Sequence, residues 1–240
     1  MEEAVFASYN RSPVREAIFS VTFQPPLAIE RVREFCASPW ASQSYAPPEA
    51  EGEAKEQPGP LGYLLRTADR SALLRLTTTQ LHYHRLGKYP GWEVASVAFL
   101  SAWTELSQAL PEITSQEASI RYINKLGWEI SEGGEITLNT YLTLLPNLPD
   151  EFPGMPGPFF LQVQALDPDQ HLHATVTEAM DFPPGAKSRI EVLIDIEVSH
   201  RPPGTNSEAL DLVNFLQTGR TFKNKLFESC ITPATRALFA

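Results

Sequence analysis

The sequence is poor in the signatures that usually announce a function. No apolar run approaches the ~18 residues that a membrane-spanning helix needs, and the opening MEEAVFASYN has neither the basic nor the apolar stretch of an export signal. A cytoplasmic protein without a membrane partner is expected. Cysteine occurs only twice, at Cys36 and Cys230, far apart and in no metal-like spacing, so reduced, part-buried thiols are expected rather than a disulfide. There is no G-x-S-x-G, no P-loop and no G-x-G-x-x-G; GKYPGWE has two glycines at neither spacing. Standard serine hydrolysis and nucleotide hydrolysis are therefore disfavoured, the balance leans away from an enzyme, and no cofactor is expected. Basic residues are scarce as well: 19 Lys and Arg face 29 Asp and Glu, for a net charge of −10. That balance repels polyphosphate backbones and anionic membranes.

What is present is enough for a core. The 240 residues are 42% hydrophobic and 10% aromatic, which suits one folded domain over 1–240. EAIFSVTF places Ala17, Phe19, Val21 and Phe23 on one face of a strand that ends at Pro25-Pro26, and LAIERVREFCA follows as a short helix. Residues 38–60, rich in Pro, Ala, Glu and Gly, read as a flexible loop. Three short strands come next, over 62–67, 71–78 and 80–86, and then a long amphipathic helix through Trp92, Leu100, Trp103 and Leu106.

The order then restarts. A long strand over 119–130 leads to ITLNTYLTLL, expected as a short helix, and to a Pro-rich loop over 146–158. Strands follow at 159–166, 171–180 and 188–199, a long helix at about 207–229, and Thr232-Pro233 opens a terminal turn. Two pseudo-symmetric halves, about 14–110 and 117–229, are thus expected to form an α+β fold. Each half is a duplicated strand-helix-three-strand-helix unit, and together they make one curved, mainly antiparallel sheet with helices on one side. The arrangement resembles the saddle of TATA-box-binding proteins in topology alone.

Four segments carry a further resemblance: SPVREAIFSVTFQPP, LHYHRLGKYPGWE, IRYINKLGWEI and LFESCITPATRALF. In this collinear order they resemble a sporadically distributed prokaryotic protein family with an EAVF-like first strand, an RYIN central strand and a C-terminal F…IT…R segment. The family supplies no catalytic residues to carry over. Its patchy occurrence implies horizontal transfer, common among defence and toxin–antitoxin genes. This chain departs from the pattern at His84, where an Asn is usual before Arg85.

Candidate site residues fall into three groups. His82 and His84, and His171 and His173, form two His-x-His pairs on expected strands; side chains at i and i+2 share a face about 7 Å apart, so the four are the candidate metal ligands. Candidate binding residues are Arg66, Arg75, Arg85 and Arg121, with Trp40 and Tyr45 in the 38–60 loop; RTADRSALLRL and GRTFKNK (Arg220, Lys223, Lys225) are the local basic stretches. Asp195, Glu197 and Glu178 are carboxylates inside strands, the first two expected on a solvated face with Arg75 or Arg121 as partners. Asn124 stands among the apolar residues Ile120, Tyr122, Leu126 and Trp128, and is expected to serve the fold, with Tyr122 and Trp128, by bridging the seam between the halves. The function expected is a non-catalytic binding or regulatory module for a protein partner, plausible as an accessory of a prokaryotic defence or toxin–antitoxin system. The alternatives are a metal-dependent hydrolase or nuclease built on the paired histidines, and nucleic-acid binding on the saddle face.

Overall fold

The computed structural model describes residues 9–52, 59–129, 138–149, 151–153, 157–181, 189–200 and 209–240. Among them, nine strands form one open antiparallel sheet, with five helices, in an α+β fold. In chain order these are β1 (Val14–Gln24), α1 (Ile29–Cys36), α2 (Pro39–Ser44), β2 (Glu49–Glu51), β3 (Gly62–Arg66), β4 (Ala72–Thr77), β5 (Gln80–Leu86), α3 (Trp92–Ala109) and β6 (Thr114–Glu129). After them come β7 (Phe159–Asp167), β8 (Leu172–Asp181), β9 (Arg189–His200), α4 (Leu212–Cys230) and α5 (Pro233–Ala237). The strand order across the sheet is β2-β3-β4-β5-β1-β6-β9-β8-β7, so β1 and β6 sit side by side at the centre.

Period-2 alternation sorts the side chains. One register row runs Leu65, Leu74, Tyr83, Phe19, Ile120, Val198, Ala174 and Ala165 across eight strands. All but Ala165 are buried, because α1 lies on β3 and β4, α3 on β1 and β5, and α4 on β6, β9 and β8. The adjacent row, Leu64, Arg75, His82, Ser20, Ser119, Ser199, His173 and Leu166, lies on the opposite face. An antiparallel sheet with one packed and one solvated face is the arrangement this alternation favours.

Three expectations change. The 38–60 segment holds α2, because Ser38 Oγ accepts from Ala41 N at 3.3 Å and Pro39 fits the first helical turn, and it holds β2, whose Glu51 anchors on Arg75; residues 53–58 lie outside the described ones. Residues 136–137 of ITLNTYLTLL lie outside the described ones, and its described part is not a helix beyond one 3-10 turn at Leu138–Thr140. Its following backbone is taken by the chain after α4: Thr143 N donates to Cys230 O (3.0 Å) and Thr232 N to Tyr141 O (3.1 Å), an extended pairing that a helix would forfeit. The last long helix begins at Leu212, capped by Asp211 on Asn214 N; residues 201–208 lie outside the described ones, as do 154–156 of the Pro-rich loop.

Gly62 shows how close β3 and β4 approach. A Cβ there would meet the Leu76 carbonyl oxygen at 2.5 Å, a backbone atom that cannot swing aside. Gly62→Ala is expected to lift β3 from β4 and cost about 2 kcal/mol, in the range of overpacked sites, or roughly 4–8 °C in Tm for a chain of this size. Differential scanning calorimetry checks it, and an unchanged Tm contradicts the close approach.

Candidate functional site

Two concavities stand on opposite faces of the sheet. The first is a trough of about 650 Å³ on the uncovered face, lined from β4 across to β7 by residues that include Arg75, His82, His84, Arg121, His173 and Glu197. Its charges are largely paired. Arg121 Nη2 lies 2.5 Å from Asp195 Oδ2 while its Nε donates to Oδ1 at 2.9 Å. Arg75 Nε donates to both oxygens of Glu51 at 2.8 and 2.7 Å, and Arg66 Nε lies 3.4 Å from Glu49. Glu117 and Glu197 in the trough are exposed and have no salt bridge among the described residues.

The histidines do not converge. His82 has both ring nitrogens engaged, with Ser20 Oγ at 2.8 Å and Gln80 Oε1 at 3.2 Å, and burial pushes it down to about pH 4. His84 Nδ1 is held 2.7 Å from Glu16. His173 shares a register row with His82, but β1, β6 and β9 lie between their strands, a separation of about 19 Å along the sheet at ~4.8 Å per strand. His171 is not on a strand: its φ of 52° places it in the turn before β8, its ring 6.4 Å from that of His200. Among the described residues no group of three or more His, Cys, Asp or Glu is placed to hold a metal.

The other binding candidates are mostly structural. Arg85 Nη1 donates to Ser71 Oγ at 2.9 Å, bracing the turn between β4 and its neighbours. Trp40 and Tyr45 continue an aromatic chain from Phe35, with ring centroids 5.5 and 5.8 Å apart, and pack against the core; burial raises the Tyr45 hydroxyl to about 12. Trp128 stacks on Tyr141 at 4.6 Å.

The second concavity, a cleft of about 350 Å³, opens on the helical side. Its floor is Tyr122 and Asn124 of β6 with Ile196 of β9; its walls are the Tyr89–Glu93 segment that opens α3, the middle of α4 from Arg220 to Glu228, and the chain before β1. Gly91 caps α3 at φ 107°, a left-handed conformation that suits glycine and turns Trp92 into the helix. All four segments that carry the family resemblance contribute lining residues here. Of the basic stretches, GRTFKNK contributes Arg220 and Lys223; the paired histidines and Arg66, Arg75, Arg85 and Arg121 lie elsewhere. The signal in the sequence was the tyrosine and lysine content of YPGWE, RYIN and FKNK, which has no spacing rule.

Within the cleft Tyr89 and Tyr122 join their hydroxyls at 2.7 Å, and Trp92 stacks on Tyr122 at 6.5 Å. Arg220 stands over the Trp92 ring at 5.2 Å and pairs with Glu93 at 3.3 Å. Lys223 places its ammonium 3.9 Å from the centre of the Tyr122 ring, a cation–π contact. Lys223 is part-buried as a residue, yet protein crowds its charged end: burial first, then the neighbouring Arg220 cation, push it down to about 7, against a smaller pull upward from Glu228. Glu228 is itself engaged by Arg236 Nε and by the Tyr9 hydroxyl, each at 2.6 Å.

Asn124 is 4% exposed and its amide nitrogen donates to Tyr122 O at 3.3 Å and Ile194 O at 3.0 Å. It therefore ties β6 to β9, not β6 to β1, where the expected bridge would act. Comparison with protein-family models and with curated proteins returns no match for this chain. No helix among the described residues is long and apolar enough to cross a membrane.

Proposed function

We propose that the chain is a non-catalytic binding module, built by duplication, that recognises a protein partner on the uncovered face of its sheet. The duplication is supported by the strand order, which reads outward from the centre as β1-β5-β4-β3 on one side and β6-β9-β8-β7 on the other, with α3 and α4 in corresponding places. A saddle in the manner of TATA-box-binding proteins belongs to the same reading, and the same order supports it. The observation that carries the reading is the trough itself: a sheet face on which, among the described residues, no helix packs, spanned by polar and charged side chains and rimmed by the exposed carboxylates Glu117 and Glu197, which have no salt bridge among those residues. With the net charge of −10, these favour a polypeptide bearing Lys or Arg over a nucleic acid, whose phosphates would find Arg66, Arg75 and Arg121 already neutralised. The accessory role in a prokaryotic defence or toxin–antitoxin system that the resemblance implies belongs to this reading.

The test is affinity purification of the full chain beside Glu117→Lys and Glu197→Lys. Both sites are exposed, so Tm is expected to stay within about 1–2 °C. A single partner retained by the wild type and lost from both variants is the expected result. A lone chain with measurable turnover, or a partner indifferent to both reversals, overturns the proposal.

A further inference from the structure

The helical-side cleft lies on the opposite face from the trough, and its electrostatics are unfinished. Each carboxylate in it is already matched: Glu93 by Arg220 at 3.3 Å, and Glu228 by Arg236 at 2.6 Å. Lys223 has no carboxylate within 4 Å and no hydrogen-bond acceptor among the described residues. What steadies it is the Tyr122 ring face, with a weaker, longer-range pull from Glu228, which Arg236 already holds. One uncompensated cation in surroundings this enclosed is costly unless an opposite charge joins it. The Tyr89 and Tyr122 hydroxyls share a single hydrogen bond, so one of their two O–H hydrogens remains to be donated. The Asn124 amide nitrogen is committed to two backbone carbonyls and offers nothing further to an anion.

From this geometry we infer that the cleft between α3 and α4 is a binding site for a small organic monoanion, a carboxylate on an aromatic or apolar body, with Lys223 as the charge partner and the Tyr89–Tyr122 pair as hydrogen-bond donor. The charge count selects a monoanion, because one cation is left over after Arg220 and Arg236 are matched. A single ammonium and one phenol suit the two oxygens of a carboxylate; a phosphate dianion would leave a negative charge unmatched. The size is at the small end of small-molecule sites, ~300–1,000 Å³, and the walls are aromatic, with Trp92, Tyr89, Tyr122 and Phe227 facing the space. An apolar body fills such walls, and a purely polar acid does not. The groups that face the ammonium are Tyr122 from β6, Tyr89 and Glu93 from the entry to α3, Arg220 and Glu228 from α4, and Tyr9 before β1. Of these Tyr89 is held up at about 12, and burial keeps Tyr122 high as well, so neither phenol ionises near neutrality and Lys223 is the group that titrates there.

Isothermal titration of the full chain with benzoate and phenylacetate, beside benzamide and inorganic phosphate, tests the site. At pH 6.5 an aryl carboxylate is expected to bind at least tenfold more tightly than benzamide or phosphate. Affinity should fall up to tenfold per pH unit as Lys223 loses its proton above pH 7. Lys223→Met, which removes an unpaired charge and keeps the stem, should fold as well as the wild type by circular dichroism and lose at least tenfold in benzoate affinity; Lys223→Arg should retain most of it. Tyr89→Phe should weaken binding severalfold. Equal binding of benzamide, undiminished benzoate binding by a folded Lys223→Met chain, or no aryl carboxylate bound at 10 mM each overturns the inference. None of these results bears on the partner-capture test, which reads the other face.

Discussion

Glu178→Gln is expected to match the wild type near pH 4.5 and to exceed it by on the order of 4 kcal/mol at pH 8 and above. Glu178 stands on β8 between Val176 and Met180, on the helical face, and is 0% exposed. Neither carboxyl oxygen has a hydrogen-bond partner among the described residues. The Cys230 thiol lies near enough to be felt but not in hydrogen-bonding geometry, and its own pKa is pushed up to about 12, so it supplies no charge. Burial consequently raises Glu178 to about 8.

A carboxyl whose folded pKa lies above its unfolded value favours folding only while it is protonated. The contribution is whole below about pH 4.5, shrinks by ~1.4 kcal/mol per pH unit as the unfolded chain ionises and the folded one does not, and is gone once pH passes about 8. Gln has no such penalty, so the variant-minus-wild-type difference rises over this window and then levels. In Tm the difference at pH 8 is roughly 8–16 °C for a chain of this length. Thermal unfolding of both proteins from pH 4.5 to 9 measures it, and the difference curve cancels the other carboxylates. A flat difference means that Glu178 ionises freely and that β8 admits water. Glu178→Met should gain at every pH, since it also removes the unsatisfied polar atoms.

The sheet was legible because its signal is redundant. Alternation in EAIFSVTF, IRYINKLGWE and RIEVLIDIEV fixes which face each strand buries, and any one strand misread is corrected by its neighbours. The short elements were not, since their stability comes from contacts at a distance: β2 exists because Glu51 meets Arg75, and the segment from Tyr141 to Thr143 stays extended because Cys230 and Thr232 pair with it. The charged candidates were legible only in part. Arg121 pairs with Asp195 as the shared strand face suggested, whereas Arg75 takes Glu51 from a strand that the sequence did not show, and the two His-x-His pairs share a motif without sharing a place in the sheet. The cleft as a site was not legible because its members, Tyr89, Tyr122 and Lys223, come from three distant segments that the sequence singles out one by one and that no spacing rule joins. Glu178 was visible as a carboxylate in a strand; that it faces inward follows only from β8's register against β9.

Asn124→Leu is the second large effect, a loss of about 3 kcal/mol, or roughly 6–12 °C in Tm. The position is apolar by pattern and nearly Leu-sized, so hydrophobicity alone would predict a gain. Hydrogen bonding decides otherwise. The amide nitrogen serves Tyr122 O and Ile194 O, and beside it the β1–β6 register shifts between Val14 and Glu16, so the ladder on that flank is already irregular. Leu removes both bonds, each worth about 0.5–1.5 kcal/mol, from carbonyls that keep their β6–β9 ladder partners at the nearly closed floor of the cleft, which brings the loss to as much as about 3 kcal/mol. The contrast with Asn124→Asp separates donor loss from packing. A carboxylate there would face two carbonyl oxygens with no hydrogen to give, so it should be held protonated and the variant should weaken progressively as pH rises, while the deficit of Asn124→Leu stays constant. Melting curves of the three proteins at pH 5 and pH 8 distinguish the cases. If Asn124→Leu melts within 2 °C of the wild type at both, the two carbonyls have found other donors and the amide is not what ties β6 to β9.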